Sequence, residues 1–253
     1  MDVFTGVGVA LVTLLDETGR VDTAATVALA ADLVGHGMRG VLVCGTTGEV
    51  ATLTDGERTG LIEAVRGVLP ADIPVIAGTG ASTAVRAAEL TAAAAGAGAD
   101  AVLAWPPPGS GDLPGYFGAV AAAAAGLPVL AYHIPWVSAP GIPVGALAGL
   151  PITGQKDSSG DPDRLLDELV HYRGSTYVGS SALLALAGPL GATGALLALA
   201  NLEPGLCRLA FAGDASAQRR LAGAHLAVRA GGVPELKRLL SAQRHTAALS
   251  RTA

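Results

Sequence analysis

The chain has 253 residues, the usual size of a single (β/α)8 barrel, and 51% of them are apolar, enough to bury a sizeable core. Its formal net charge of −5 is mild, and it lacks the basic cluster expected of a protein that binds nucleic acid or an anionic membrane surface. The two cysteines, Cys44 and Cys207, lie far apart and form no CxxC pair, which argues against disulfides or a thiolate metal site and fits a reducing cytoplasm.

Eight short apolar runs alternate with Ala-rich stretches along the chain. Most of the runs are continuously apolar, which is typical of strands covered on both faces. They predict strands at Gly8–Leu14, Gly40–Cys44, Val75–Gly78, Ala101–Ala104, Val129–Tyr132, Ile152–Lys156, Thr176–Val178 and Ala195–Leu199. The stretches between them predict helices at Asp22–His36, Thr54–Leu69, Ser82–Gly98, Gly115–Ala125, Val144–Leu150, Asp161–Tyr172 and Ala182–Leu190. Thr54 and Glu57 have the spacing of a capping box, which marks a helix start.

Eight strands with helices between them is the number that closes a barrel, so the predicted fold is an α/β protein of the (β/α)8 TIM-barrel type. A doubly wound open sheet is the alternative, and no GxGxxG follows the first strand to support it. The barrel is expected over residues 1–202. Residues 203–253 are expected to form a short C-terminal helical appendage that packs on the barrel within one structural domain. Breaks in it are predicted at Gly213-Asp214 and Ala230-Gly231-Gly232.

Neither a membrane segment nor a signal peptide is expected. The stretch Leu113–Gln155 has no Asp, Glu, Lys or Arg, but its glycines and prolines break any helix of the ~20 residues that span a bilayer. We therefore interpret it as buried α/β structure. The N-terminal sequence lacks the positive region of a signal peptide, so a cytoplasmic location is expected. The histidines show no HxH or HExxH spacing, and no metal site is expected.

The cations are distributed unusually, because the chain has only two lysines, Lys156 and Lys237. Lys237 lies in a charged helical stretch, ELKRLL, and is expected to be a solvated surface residue. Lys156 ends the predicted sixth strand. Arginine stays protonated, whereas lysine can act as an amine nucleophile, so a lysine at this place is a candidate for chemistry. The alternative is a surface lysine without function.

Three features lie at the carboxyl ends of predicted strands, where a barrel forms its active-site mouth. Gly45-Thr46-Thr47-Gly48-Glu49 follows the second strand, Tyr132 ends the fifth and Lys156 ends the sixth. Neighbouring strands are ~4.8 Å apart, so the phenol and the amine can approach each other. Separately, each feature has a structural explanation, as a tight turn, a core tyrosine or a surface lysine. Together they supply what an imine-forming enzyme needs: an amine, hydroxyls that move protons, and a cradle for a carboxylate.

The chain resembles the dihydrodipicolinate synthase and N-acetylneuraminate lyase family of pyruvate-dependent class I aldolases. The matching segments, in the family's order and spacing, are GVLVCGTTGEVATLTDGER, PVIAGTG, AGADAVLAWPP, PVLAYHIP and GQKDSSGD. The similarity covers roughly Gly6 to Asn201. The resemblance implies the (β/α)8 fold and a reaction that passes through a covalent imine.

The resemblance also implies roles for individual residues. Lys156 would be the Schiff-base lysine, Tyr132 the proton-shuttling tyrosine, and Thr46 a member of the hydroxyl relay. The residues implied to bind the keto acid are Thr47, Gly45, Gly179 and Leu196. Because the imine on Lys156 is the electron sink, the resemblance implies neither a cofactor nor a metal.

Two segments depart from the family pattern. The family has a tyrosine pair after the fourth strand, whereas this chain has Ala104-Trp105-Pro106-Pro107-Pro108, so the relay lacks its third hydroxyl. The synthases proper carry an arginine after the catalytic tyrosine, which binds the carboxylate of the aldehyde substrate, and here Val137 stands at that place. Another arginine, such as Arg20 or Arg86, is the alternative source of that charge. His133 adjoins Tyr132 but points to the opposite side of the strand, so a structural role is predicted.

The favoured interpretation is a lyase or aldolase that makes or breaks a C–C bond between pyruvate, or a related 2-keto acid, and an aldehyde. The alternative enzyme is 4-hydroxy-tetrahydrodipicolinate synthase proper, and the alternative of another class is a non-catalytic barrel that binds a keto acid or a protein. The expected partners are the two small substrates and further copies of the chain, but no nucleic acid or membrane. A homo-oligomer is expected because the uncharged helices Gly115–Ala125 and Val144–Leu150 should lie on the outside of the barrel.

Overall fold

Eight parallel strands close into a barrel in chain order, each hydrogen-bonded to the next and the last to the first. The computed structural model describes residues 2–244 and 249–252. The strands are β1 (Gly6–Ala10), β2 (Val41–Val43), β3 (Val75–Gly78), β4 (Ala101–Ala104), β5 (Val129–His133), β6 (Gly154–Asp157), β7 (Ser175–Val178) and β8 (Gly194–Leu197). The predicted TIM barrel is confirmed, and the open doubly wound sheet is excluded.

Helices connect the strands and cover their outer faces. They are α1 (Thr23–Gly35), α2 (Asp55–Val68), α3 (Ala84–Gly96), α4 (Leu113–Ala123), α5 (Val144–Leu147), α6 (Pro162–His171), α7 (Leu184–Ala187), α8 (Pro204–Phe211) and α9 (Ala215–Arg244). The side chains of Asp22, Thr54, Thr83 and Asp161 accept hydrogen bonds from amides of the first turn, which fixes where these helices begin. The predicted capping box of α2 is present, because Glu57 accepts a hydrogen bond from the Thr54 amide at 2.8 Å.

The first strand is shorter than the apolar run that predicted it. β1 ends at Ala10. The Leu11 amide still donates to the Leu42 carbonyl of β2 at 2.9 Å, but residues 12–14 leave the sheet and stay buried. A side chain replaces the sheet partner of one amide there, since Val12 N donates to Asn201 Oδ1 at 3.2 Å. The prediction of a strand over Gly8–Leu14 was therefore wrong at its end, because burial rather than sheet pairing makes this segment apolar.

Two aromatic rings fill the N-terminal end of the barrel, Phe4 before β1 and Tyr177 on β7. Their ring centroids are 4.8 Å apart, and the Tyr177 hydroxyl donates to the Phe4 carbonyl at 2.8 Å. Gly8 and Gly40 make room for Phe4, because a Cβ at either position would lie 2.9 Å from its ring. The interior is closed at this end, which leaves the opposite end, where the strands terminate, for a site.

The uncharged stretch Leu113–Gln155 forms α4, β5, α5 and the start of β6, and is thus α/β structure as predicted. Among the described residues, no helix combines the length and hydropathy required to cross a membrane. After the barrel, α8 contacts β1, and α9 packs on α8. The predicted breaks correspond to the gap between α8 and α9 and to a kink in α9 at Gly232, whose φ is 64°.

Lys237 is buried rather than solvated, so the prediction for this residue was wrong. Glu235 and Arg238 lie three residues apart on the outer face of α9, where they pair with each other at 2.7 Å. Lys237 lies between them in sequence but faces inward. Its Nζ donates to the Glu49 carboxylate and, at 3.0 Å, to the Leu249 carbonyl. This ion pair offsets the burial of the charge and ties α9 to the turn after β2.

Candidate active site

Tyr132 and Lys156 lie side by side at the end of the barrel where the strands terminate. They are direct partners in the register of β5 and β6, so their side chains point to the same face of the sheet. Lys156 Nζ lies 4.5 Å from the centroid of the Tyr132 ring, and the two residues are only 3% and 6% exposed. The predicted approach of an amine and a phenol is therefore present in the structure.

An apolar layer lies beneath this pair. Lys156 also pairs in register with Tyr177, whose ring closes the opposite end of the barrel. Leu130, Leu196, Tyr132 and Tyr177 belong to one cluster of buried side chains inside the barrel. Leu196, which was predicted to line the substrate site, is thus buried in the barrel interior. A small molecule entering from the mouth would meet the amine above an apolar surface.

Gly179 brings the end of β7 against Lys156. A Cβ at this position would lie 2.8 Å from Lys156 Cε and 2.0 Å from Ser158 Oγ, so any larger residue would displace one or both of these side chains. The Ser158 hydroxyl donates to the Tyr132 hydroxyl at 3.2 Å. Sequence reasoning missed Ser158. The available signal was its position two residues after Lys156, because alternate residues of an extended segment share a face.

The turn Gly45-Thr46-Thr47-Gly48 follows β2 and reaches the same end of the barrel. It is closed by a hydrogen bond of 3.0 Å from the Gly48 amide to the Gly45 carbonyl. The residues on either side, Cys44 and Glu49, both have a φ of 54°. This conformation is uncommon for residues other than glycine and is found mostly in constrained loops at functional sites.

A narrow cavity joins the turn to Tyr132. Its walls include Gly45 and Thr46 from the turn, Tyr132 from β5 and Trp105 from the loop after β4. Thr47 follows in the same turn, half-buried, but is not part of these walls. Gly45 and Thr46 therefore share this cavity with Tyr132, whereas Thr47 does not.

Glu49 supports the turn from behind. Its carboxylate accepts hydrogen bonds from the Ser250 hydroxyl (2.5 Å) and from the amides of Arg251 (2.7 Å) and Thr252 (2.8 Å), besides its ion pair with Lys237. Burial alone would raise the pKa of the Glu49 carboxyl, but these donors outweigh it and hold the pKa below its usual value. The C-terminal residues thus hold the turn through an ionised carboxylate.

Trp105 and Val137 form an apolar wall at the mouth, where both pack against the interior cluster. Trp105 lies directly on Gly80, where a Cβ would come within 2.4 Å of the indole ring. The Trp105 carbonyl accepts a hydrogen bond of 2.6 Å from the Tyr116 hydroxyl, which holds the start of the loop in place. A molecule that enters on this side of the mouth therefore meets an indole ring and an isopropyl group.

The outward side chains of β5 and β6 form a buried polar layer behind the site. Arg164 Nε lies 2.8 Å from Glu168 Oε1 and 3.7 Å from Asp157 Oδ1. His133 accepts a hydrogen bond of 2.9 Å from the Ile142 amide, and burial, with the Arg164 charge, lowers its pKa to about 4. His133 thus faces away from the interior, in keeping with its predicted structural role. Within residues 2–244 and 249–252, no group of three or more His, Cys, Asp or Glu side chains could hold a metal ion.

The dihydrodipicolinate synthetase family model matches residues 3–228 of this chain. The 4-hydroxy-tetrahydrodipicolinate synthase of Prochlorococcus marinus (strain NATL2A) is 35% identical over 212 residues, which cover 79% of this chain and 70% of that protein. The synthase of the same name from Synechococcus sp. (strain CC9605) is 43% identical over 136 residues, 52% of this chain and 45% of that protein. The chain therefore spans about half the length of several curated relatives that it matches.

Similarity to solved structures extends over nearly the whole chain. The chloride-inhibited dihydrodipicolinate synthase from Acinetobacter baumannii, solved in complex with pyruvate, is 28% identical with a TM-score of 0.88 and covers 98% of this chain and 94% of that one. Sequence motifs, the family match and the shared barrel agree with one another. The chain belongs to the dihydrodipicolinate synthetase family.

Proposed function

We propose that this chain is a class I aldolase or lyase that makes or breaks a C–C bond between pyruvate, or a related 2-keto acid, and an aldehyde. The observation that carries the proposal is the buried Lys156 amine, 4.5 Å from the centre of the Tyr132 ring at the open end of the barrel. The pyruvate in the A. baumannii homologue supports the assignment of the keto acid. The two buried, free cysteines fit the cytoplasmic location that we also propose.

The proposed reaction begins when Lys156 Nζ attacks the C2 carbonyl of the keto acid. Tyr132 and Thr46 move protons so that the carbinolamine oxygen leaves as water and a protonated imine remains. Loss of a proton from C3 gives an enamine, whose carbon attacks the aldehyde carbon while the aldehyde oxygen takes up a proton. Water then hydrolyses the imine. The protonated imine accepts the electron pair, so the proposed reaction requires no cofactor and no metal.

The keto acid is held in this proposal by the four other predicted positions. The turn provides hydroxyl and amide donors for the carboxylate, from Thr47 and Gly45. Gly179 leaves space beside Lys156 Cε, and Leu196 forms the apolar floor under the methyl group.

Exchange of the pyruvate methyl protons in D2O separates an enzyme from a binding barrel. An enamine forms by loss of a C3 proton, so the protein is expected to replace these protons with deuterium, as followed by proton NMR. Lys156→Arg should show no exchange above the protein-free rate. Saturable pyruvate binding without exchange would favour the non-catalytic alternative.

The second substrate is proposed to be an uncharged aldehyde, aliphatic or aromatic. Val137 occupies the place where the resemblance leads one to expect an arginine, and, like Trp105, it packs against the interior cluster. The two alternative arginines are engaged elsewhere. Arg20 pairs with Asp16 at 3.3 Å, and Arg86 pairs with Asp55 and Glu89.

Aspartate semialdehyde is therefore expected to be a poor acceptor. Burying its carboxylate against Val137 leaves the desolvation uncompensated, which typically costs on the order of 10²-fold in kcat/KM compared with a charge-assisted partner. Side-by-side kinetics with pyruvate and either aspartate semialdehyde or neutral aldehydes measure this preference. Val137→Arg should shift it towards aspartate semialdehyde. If aspartate semialdehyde is the best acceptor of the unmodified protein, the chain is a 4-hydroxy-tetrahydrodipicolinate synthase proper.

A homo-oligomer is also proposed, because α4 and α5 lie on the outside of the barrel and carry no charged side chain. A groove of about 460 Å³ runs between them, lined by Leu113, Pro114, Ala146 and Leu150 among others. Large uncharged outer surfaces usually mark contacts with another chain. Light scattering at micromolar concentration is expected to give the mass of two or more chains, and a clean monomer would contradict this proposal.

A further inference from the structure

Ser158 places a buried hydroxyl against the Tyr132 hydroxyl and near the Lys156 side chain. Its Oγ donates to the Tyr132 hydroxyl at 3.2 Å, and the residue is only 8% exposed. The Ser158 amide donates to the His133 carbonyl at 3.0 Å, which continues the β5–β6 pairing by one residue and fixes the direction of the side chain. Gly179 confirms the proximity to Lys156, because one added Cβ there would touch both Ser158 Oγ and Lys156 Cε.

The rest of the mouth offers few other partners for the Tyr132 hydroxyl. The loop after β4 begins with Trp105 and three prolines, none of which carries a hydroxyl, and its serine, Ser110, does not line the cavity beside Tyr132. Of the residues that line the cavity beside Tyr132, Thr46 has the other hydroxyl. A phenol that gives up a proton in a buried site needs a donor to its oxygen, since an unpaired buried charge is costly. Ser158 meets this requirement from the strand that carries the nucleophile.

We propose that Ser158 is a positioning residue for Tyr132 and supplies the third hydroxyl of the proton relay. When Tyr132 protonates the carbinolamine oxygen, the C–O bond breaks, water leaves and Tyr132 becomes a phenolate. The Ser158 O–H bond points at that oxygen and stabilises the negative charge until Tyr132 takes a proton back. Ser158 need not touch the substrate, because it acts through Tyr132. This inference rests on the proposed function.

The test is a double-mutant cycle on the rate of imine formation, followed by quenching with borohydride at successive times after pyruvate is added. Ser158→Ala is expected to slow imine formation about tenfold to hundredfold. This is less than the ~10²–10³-fold typical of a donor that bonds directly to the reacting oxygen, because Ser158 acts through Tyr132. The pyruvate concentration for half-maximal labelling and the melting temperature should stay almost unchanged. In a Tyr132→Phe background, Ser158→Ala should have no further effect, because its acceptor is already gone.

Three further variants make the test specific. Ser158→Thr keeps the hydroxyl and should retain most of the rate. Ser159→Ala is the matched control, because its hydroxyl bonds to Asp157 at 2.8 Å on the other side of the strand, and it should leave the rate unchanged. If Ser158→Ala does not fold, Ser158→Cys, which keeps the shape with a weak donor, gives the same comparison.

The inference is overturned if Ser158→Ala forms the imine as fast as the unmodified protein. It is also overturned if the Ser158 and Tyr132 effects multiply in the double variant, or if Ser159→Ala slows the reaction as much as Ser158→Ala. If the unmodified protein forms no imine with any keto acid, the proposed function itself fails and this inference fails with it. The two failures are therefore distinguishable by the behaviour of the unmodified protein.

Discussion

Replacing Lys156 with arginine is expected to reduce turnover by at least on the order of 10⁴-fold, because a guanidinium cannot form the imine. The side chain lies above an apolar floor and beside the Tyr132 ring, with 3% of its surface exposed. The Arg variant keeps a positive charge at the same place. Steady-state kinetics with pyruvate and a neutral aldehyde measure the loss, and the melting temperature shows that the barrel remains folded.

The other lysine gives the matched control. Lys237→Arg makes the same substitution at a buried residue that is engaged with Glu49 on the far side of the turn. It is expected to lower the stability, since a larger head group must fit a filled space, but to keep the chemistry. Loss of turnover in the Lys237 variant alone, with an active Lys156→Arg, would mean that the nucleophile has been assigned to the wrong residue.

Replacing Tyr132 with phenylalanine is expected to lower kcat by about 10²- to 10⁴-fold, the range typical of a lost acid–base group. The ring stays in place over Lys156, so the packing of the interior should change little. The expected signature is a slow imine step with nearly normal binding of pyruvate. Rapid-quench measurements of imine formation, together with the melting temperature, test it.

Tyr177→Phe is the control for Tyr132. It removes a hydroxyl from the same barrel interior, but at the closed end, where that hydroxyl bonds to the Phe4 backbone. It should cost about 1 kcal/mol of stability, typical of a lost hydrogen bond, and leave kcat unchanged. If Tyr132→Phe is as active as Tyr177→Phe, Tyr132 is only a core residue.

The fold could be predicted from the sequence because local and global signals agree. The runs at Val75–Gly78 and Ala101–Ala104 match β3 and β4 at both ends, since each is bounded by a turn or a loop that ends the apolar run. The end of the first strand could not be predicted in the same way. Its apolar run continues past Ala10 into a buried segment. The amides of this segment donate to side chains elsewhere in the chain, so the local sequence pattern does not show where strand pairing stops.

Within the candidate site, the lysine and the tyrosine were the easiest residues to predict, because each of these residue types supplies a reactive group. A tyrosine and a lysine at the ends of neighbouring predicted strands indicated that the two side chains would approach each other. The register of β5 and β6 brings them together, since Tyr132 and Lys156 are direct partners. Lys237 was assigned wrongly because its charged neighbours do lie on the surface, and only the helical phase places this one residue inward. Ser158 was missed because a serine in a loop carries no signal of its own until the face of β6 is known.

Borohydride trapping with pyruvate tests the central claim most directly. The protein is incubated with pyruvate and sodium borohydride, digested, and analysed by mass spectrometry. We expect one stable adduct, the 1-carboxyethyl group left when the pyruvate imine is reduced, on the peptide that contains Lys156, and no adduct in Lys156→Arg. An adduct on Lys237, or none with pyruvate or any other small 2-keto acid, would contradict the proposal that this barrel works through an imine on Lys156.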